Sequence, residues 1–478
     1  MRQTLPVATA ADAQTARSET QPLTMRVAEK ICHFQRPMAT PFAMRQACTA
    51  MTDTIAVALA GAPESCTQIL LNTPGIATAP GKSLVFATKQ RTSALDATLV
   101  NGTASHALDY DDFSGVMGGH QSAPIVPALF ALGEEHRSSG EKIVLAYLVG
   151  VETELRFSRA VNMHHYDIGW HPTSTLGVFG AAAATSYLLG LDIPHTAMAL
   201  AIAASLANGL KANFGTMTKP LHIGQCGRNG LLATLLAAGG FDANPAVLEH
   251  QQGFLNVFNG PGLYDSERLL SNWGRPLEVE DPTIGLKQFP CCGSTHPAIM
   301  MALQLVQEES VHAEDVVNIT IMPHGRRLKH TDNPHPASSL EAKFSVQYVV
   351  ARALVDGDVR LKDFEGNAYN EPAVRRLLAI TTAQAHPDMA DDADGQWGAE
   401  VIVALKDGRK LSRRVDNLVG RGGDNPMTRA ELWRKFSNCA EKSLAGRQIE
   451  PLFEQLQQLD QIPDINQITG LMLGAERA

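Results

Sequence analysis

Through the first half of this 478-residue chain, apolar positions recur at helical spacing or fill whole turns, and no stretch alternates as a strand would. The pattern predicts helices over 42–60, closed by Gly61, over 93–108 with Ser93 as N-cap, and over 123–136. Residues 174–189 and 195–210 are apolar nearly all round, the mark of helices enclosed by other helices. Residues 229–238 predict one more.

The character changes near Asn272. Residues 316–322 (VVNITIM) alternate and are β-branched, which predicts a strand. Ser338 and Glu341 form a capping box opening a helix that runs to Gly357. Residues 400–405 and 410–415 predict a hairpin around Asp407-Gly408. Thr428 and Glu431 make a second capping box, and 448–459 supply a last helix. The expected architecture is mainly α: a large all-α helical domain plus a smaller inserted α+β lid domain. Its expected parts are a disordered tail (1–24), the all-α domain (25–274), the lid (275–415) and C-terminal helices packing back on the first domain (416–478). A cleft between two domains is where a small ligand is expected.

Composition narrows the class. Aromatics are only 6% and alanine is clustered, which favours close-packed helices over a β-sandwich. A net charge of −9 speaks against a general nucleic-acid binder but leaves an anionic substrate possible, since a few focused cations outweigh diffuse surface charge. Seven scattered cysteines with no C-x-x-C give neither a disulfide framework nor a metal-cluster spacing, so a reducing cytoplasm is expected. The tail has no apolar core of a secretory signal and carries Asp12 and Glu19. The longest apolar stretches, 175–191 and 197–207, read as buried helices rather than membrane spans.

Four segments place polar chemistry in glycine-rich or apolar text. Residues 101–124 hold Asp109, Asp111, Asp112 and His120, the last in a glycine-rich loop. The carboxylates could take a metal, but nothing specifies partner oxygens, and backbone-bonded loop residues explain them as well. His171 stands before Pro172 at the start of a buried helix, a good place to hold a carboxylate. His164, His165 and His171 match no helical metal-ligand spacing. Lys219 and His222 fall in an expected loop between two apolar helices. They read either as a clamp for a substrate carboxylate or as partners of a structural ion pair with Asp109 or Asp112. In 286–298, Cys291 could be a nucleophile paired with His296, although a buried inert thiol is commoner. No P-loop, dinucleotide fingerprint, H-E-x-x-H or nucleophile elbow occurs, which leaves acid–base chemistry.

Taken in order, NGTASHALDYDD, GWHPTSTLGVFGAAAA, FGTMTKPLHIGQCGRNG, KQFPCCGSTHPAI, EAKFSVQYVVARAL and GGDNPMTRAELWRKF resemble the hallmark stretches of the MmgE/PrpD family. The resemblance covers about residues 25–465. It implies a large all-α domain with a smaller α+β lid, a homodimer, no cofactor and no metal. It also implies activity on a small di- or tricarboxylate, as in 2-methylcitrate dehydratases, cis-aconitate decarboxylases and iminodisuccinate epimerases. The decarboxylases' active-site positions fall on Asp109, His120, His171, Lys219 and His296, with Asp112 and Lys287 as neighbours. Three features depart from the family: Phe113 where a threonine is usual, a longer loop before His120, and Gln121 after it.

The expected reaction removes or replaces a proton next to a carboxylate, with Lys219 and His171 facing the charge that develops. His120 and His296 are expected on opposite sides of the substrate, with Asp109 orienting one of them. A lyase, dehydratase or decarboxylase, is the leading expectation. An epimerase of a dicarboxylate such as iminodisuccinate and a non-catalytic carboxylate-binding protein are the alternatives.

Overall fold

The computed structural model describes residues 21–389, 397–416, 421–422 and 425–474, so most of the expected tail lies outside the described residues. The chain divides into two compact units. Unit 1 takes the described residues of 1–107, 116–281 and 433–478; unit 2 takes 108–115 and 282–432.

Unit 1 is helical. Its elements include α1 (Leu23–Cys32), α2 (Pro41–Gly61), α3 (Ala94–His106), α4 (Ser122–His136) and α5 (Gly140–Asp167). They continue with α6 (Pro172–Thr175), α7 (Gly177–Leu189), α8 (Ile193–Leu206) and α9 (Thr218–Ala238). Polar caps set several starts: Thr40, Ser93, Ser139 and Asp192 each accept from a backbone N–H in the first turn of the helix that follows. Two short strands, β1 (Ser83–Leu84) and β2 (Arg91–Thr92), pair antiparallel, an element that the absence of alternation did not predict.

Helix α9 packs on α3, α7 and α8. At the crossing with α3 the backbones touch: a methyl on Gly224 would fall 2.1 Å from the Leu99 carbonyl oxygen, and one on Gly102 would fall 2.8 Å from the Gly224 Cα. Only glycine permits that approach, and it brings the last turn of α3 beside the first turns of α9.

Unit 2 is α+β. Strand β3 (Phe113–Ser114) pairs antiparallel with β4 (Ile284–Leu286), which also pairs with β9 (Arg421–Gly422). The larger sheet runs β6-β5-β7-β8, with β5 (Val316–Pro323), β6 (Thr381–Ala383), β7 (Ala399–Leu405) and β8 (Lys410–Val415). The β7–β8 hairpin closes at Asp407-Gly408, and alternate residues of β7 (Ala399, Val401, Val403, Leu405) are buried. They share one core with Ile319 and Ile321 of β5, Ala298 and Ala302 of α10 (His296–Glu309), and Val349 and Val350. The expected helix to Gly357 is two: α11 (Ser339–Lys343), capped by Ser338, and α12 (Val346–Asp356), capped by Ser345. Both arms of the second capping box are made, Thr428 N–H to Glu431 Oε2 at 2.8 Å and Glu431 N–H to Thr428 Oγ1 at 3.3 Å.

That box opens α13 (Arg429–Ala440), followed by α14 (Gly446–Gln457), which packs on α2. Buried Lys435 Nζ lies 2.6 Å from buried Asp53 Oδ1, and Gln457 Nε2 donates to Thr52 Oγ1 at 2.8 Å. No single helix among the described residues is long and apolar enough to cross a membrane; one pair of helices, bent by 78°, passes that test on length and composition.

Candidate active site

In unit 1, four histidines and a lysine converge where α3, α6 and α9 end or begin. His106 is the last residue of α3, and its ring lies 4.6 Å from that of His120 and 6.0 Å from that of His171. His120 comes from the loop before α4, as the glycine-rich text predicted, and its N–H donates to Thr173 Oγ1 at 3.0 Å. His171 precedes α6, its carbonyl accepting from Ser174 and Thr175 N–H at 2.9 and 3.0 Å, while its own N–H donates to the Gly209 carbonyl at 3.1 Å. Its ring meets Phe214 edge-on at 4.8 Å. Its Nδ1 lies 3.2 Å from His222 Nδ1.

Lys219 and His222 do not occupy a loop. Both lie in the first turns of α9, which tolerates Pro220 because the amides of a first turn have no intrahelical partner. Lys219 Nζ stands 5.1 Å above the Phe214 ring centre. Burial, followed by the Lys219 cation and the neighbouring imidazoles, holds His171 well below the usual histidine range. Burial and Lys219 lower His222 in the same direction. Both rings are therefore neutral at pH 7.

His164, His165 and His171 do not form a cluster. His165 Nε2 pairs with Thr175 Oγ1 at 2.8 Å, and burial lowers its pKa to about 4. The unfolded chain binds this proton near 6.5, so stability is complete above that pH and is lost as pH falls towards 4. The shift corresponds to on the order of 3 kcal/mol. We expect the urea midpoint to drop between pH 7 and pH 4.5, and to drop less in His165→Gln. An equal drop in both proteins would remove His165 as the cause.

In unit 2, the segment 108–115 is stapled down by several contacts. Phe113 and Ser114 pair with Gly285 and Ile284, Tyr110 Oη donates to the Gln288 carbonyl at 3.0 Å, and Lys343 Nζ donates to the Leu108 carbonyl at 3.2 Å. Asp109 sits in the left-handed region with φ 53°. Lys287 Nζ bonds its carbonyl at 2.6 Å and its carboxylate at 3.1 Å. Burial opposes charge on Lys287, but Asp109 and Asp111 outweigh it and hold the ammonium pKa above its ordinary value. Asp112 is buried in the same segment. Phe113, the departure from the family pattern, is half-buried. His296 is the buried first residue of α10, its ring edge-on to Phe289 at 5.3 Å.

Cys291 is fully buried, hydrogen-bonded with Thr295 Oγ1 at 3.3 Å, and burial pushes its pKa to about 12, so it is no thiolate nucleophile. Cys292, which the sequence reading passed over, feels the Lys287 cation, although burial still raises its pKa. His106 was also passed over; its signal is a histidine ending a helix in which every residue but Leu95 is buried.

Sequence profiles of the MmgE/PrpD N-terminal and C-terminal domains match residues 25–266 and 289–458. The chain belongs to the MmgE/PrpD family. Relatives in it include the cis-aconitate decarboxylase of Homo sapiens, 32% identical over 389 residues, which are 79% of this chain and 79% of that protein. The Mus musculus cis-aconitate decarboxylase is 32% identical over 79% of this chain and 78% of its own length. That of Aspergillus terreus is 27% identical over 473 residues, 93% of this chain and 96% of the relative. The family assignment accounts for the order in which the histidine- and lysine-bearing segments follow one another.

Proposed function

We propose that this chain is a lyase that decarboxylates cis-aconitate or a close tricarboxylate. The observation that carries the reading is the grouping of Lys219 with neutral His171 and His222, beside His106 and His120, in a chain similar to cis-aconitate decarboxylases. The carboxymethyl arm of cis-aconitate is a β,γ-unsaturated acid. When it loses CO₂, the electron pair left behind forms a new double bond, and the old one takes a proton at the carbon carrying another carboxylate. One proton enters, one CO₂ leaves, and a 2-methylene dicarboxylate remains.

This chemistry needs a fixed cation for a retained carboxylate and a proton donor beside it. Lys219 fills the first role, with His171 as a neutral N–H donor, and His120 delivers the proton. The motif resemblance supports His296, Asp109, Asp112 and Lys287 as further contributors. The Asp109 carboxylate, 3.1 Å from Lys287 Nζ, favours the charged form of that lysine. It also supports a homodimer working without a cofactor.

The test is proton NMR in D₂O of the full-length protein with cis-aconitate, citrate, 2-methylcitrate and iminodisuccinate in turn. Loss of CO₂ from cis-aconitate, with one deuterium in the product, is expected. Loss or gain of water would make the enzyme a dehydratase. Deuterium entering an unchanged iminodisuccinate skeleton would make it an epimerase, and four unchanged spectra would sink the polycarboxylate reading.

A further inference from the structure

His222 entered the sequence reading as a clamp for substrate carboxylate, but the structure turns its Nδ1 to another histidine. We propose that His222 is a positioning residue: its Nδ1–H donates to His171 Nδ1 and locks His171 in the tautomer that presents Nε2–H. The inference rests on the reading of an anionic substrate held at His171.

Two imidazole Nδ1 atoms 3.2 Å apart require one proton between them. Two N–H groups would clash, and two lone pairs would repel. The pair therefore behaves as a unit in which the hydrogen bond at one nitrogen decides which nitrogen carries the proton. Among the described residues, this is the one hydrogen bond that the His171 ring makes.

The backbone around the pair is fixed on both sides. His171 is tied through its N–H to Gly209, and Ser174 Oγ donates to the His222 carbonyl at 3.2 Å. The Gly102–Gly224 contact sets where the first turns of α9 lie. Neither ring escapes into the cationic form, because both are buried and face Lys219; His171 also faces His106 and His120.

The direction of the bond follows from the ligand. A tricarboxylate offers only acceptors, so a bare Nε2 lone pair on His171 would repel it, whereas Nε2–H binds it. That outcome requires His171 Nδ1 to be the acceptor and His222 the donor.

The tautomer can be read without turnover, from two-bond proton–nitrogen spectra of full-length protein labelled with ¹⁵N-histidine, with His171 assigned through His171→Gln. We expect a bare Nδ1 and a protonated Nε2 on His171 near pH 7.5. His222→Asn, whose amide can still donate at the Nδ1 position, should keep that signature. His222→Leu should lose it and lower kcat on cis-aconitate about ten- to a hundredfold, with a smaller change in KM. Most of that loss should return in His222→Asn.

A protonated Nδ1 on His171 in the unaltered protein, or an unchanged His171 spectrum in His222→Leu, would overturn the proposal. Should the leucine variant fail to fold, the unaltered protein and the asparagine variant still decide it. A locked tautomer in a protein that leaves cis-aconitate untouched would uphold the pair and reject the decarboxylase. Turnover with an unlocked tautomer would do the reverse.

Discussion

Replacing Lys219 by methionine should lower kcat/KM for cis-aconitate by about 10²–10³, the loss found when one preorganised group facing developing negative charge is removed. Methionine preserves the length and packing of the side chain above Phe214, so the fold should survive. A second effect has a definite sign. The Lys219 cation helps hold His171 and His222 below the ordinary histidine range, so its removal makes both easier to protonate. The acidic limb of the pH–rate profile should therefore move to higher pH in Lys219→Met. A variant within threefold of the parent, with an unmoved limb, would show that the cation serves the fold alone.

The largest expected effect on stability lies elsewhere in unit 1. Lys435→Met should destabilise it by about 3–5 kcal/mol, because it strips a 2.6 Å cation partner from a fully buried carboxylate, Asp53. Neutralising both ends in Asp53→Leu/Lys435→Met should recover most of this, since a buried ion pair contributes little once both charges are gone. Urea unfolding monitored by far-ultraviolet circular dichroism reads the three proteins side by side. Equal midpoints for the parent and Lys435→Met would mean that Asp53 is neutral or relieved by another group.

Much of the fold was legible because short-range rules held. The 42–60 helix, the Ser93 cap, the 400–415 hairpin and the Thr428–Glu431 capping box recur within a residue or two. Of the first box only the Ser338 cap is made, Glu341 accepting from Ala337 N–H instead. Two of the errors share a physical source, glycine serving packing rather than turns. Gly61 was read as a left-handed stop, yet it ends α2 in helical form, and a methyl there would lie 2.0 Å from the Ala104 carbonyl oxygen. The stretch 214–229 was read as holding a loop, whereas Gly224, Gly227 and Gly230 let one helix, α9, press against its neighbours. That error displaced Lys219 and His222.

The candidate residues were chosen through motif order, and they come from both units. His120, His171, Lys219 and His222 lie in unit 1, and Asp109, Asp112, Lys287 and His296 in unit 2. The contact of His222 with His171, and the place of His106 among the rings, were not legible. They depend on an interhelical distance that no spacing along the chain encodes.

The docking of α14 on α2 has a consequence for synthesis. Thr52 and Gln457 are 405 positions apart, so at 5–20 residues per second a ribosome exposes Thr52 for about 20–80 s before Gln457 exists. All of unit 2 is made within that interval. During it the apolar α2 and its buried-to-be Asp53 wait without their final cover, which makes this helix the natural client of a chaperone while the chain is being made.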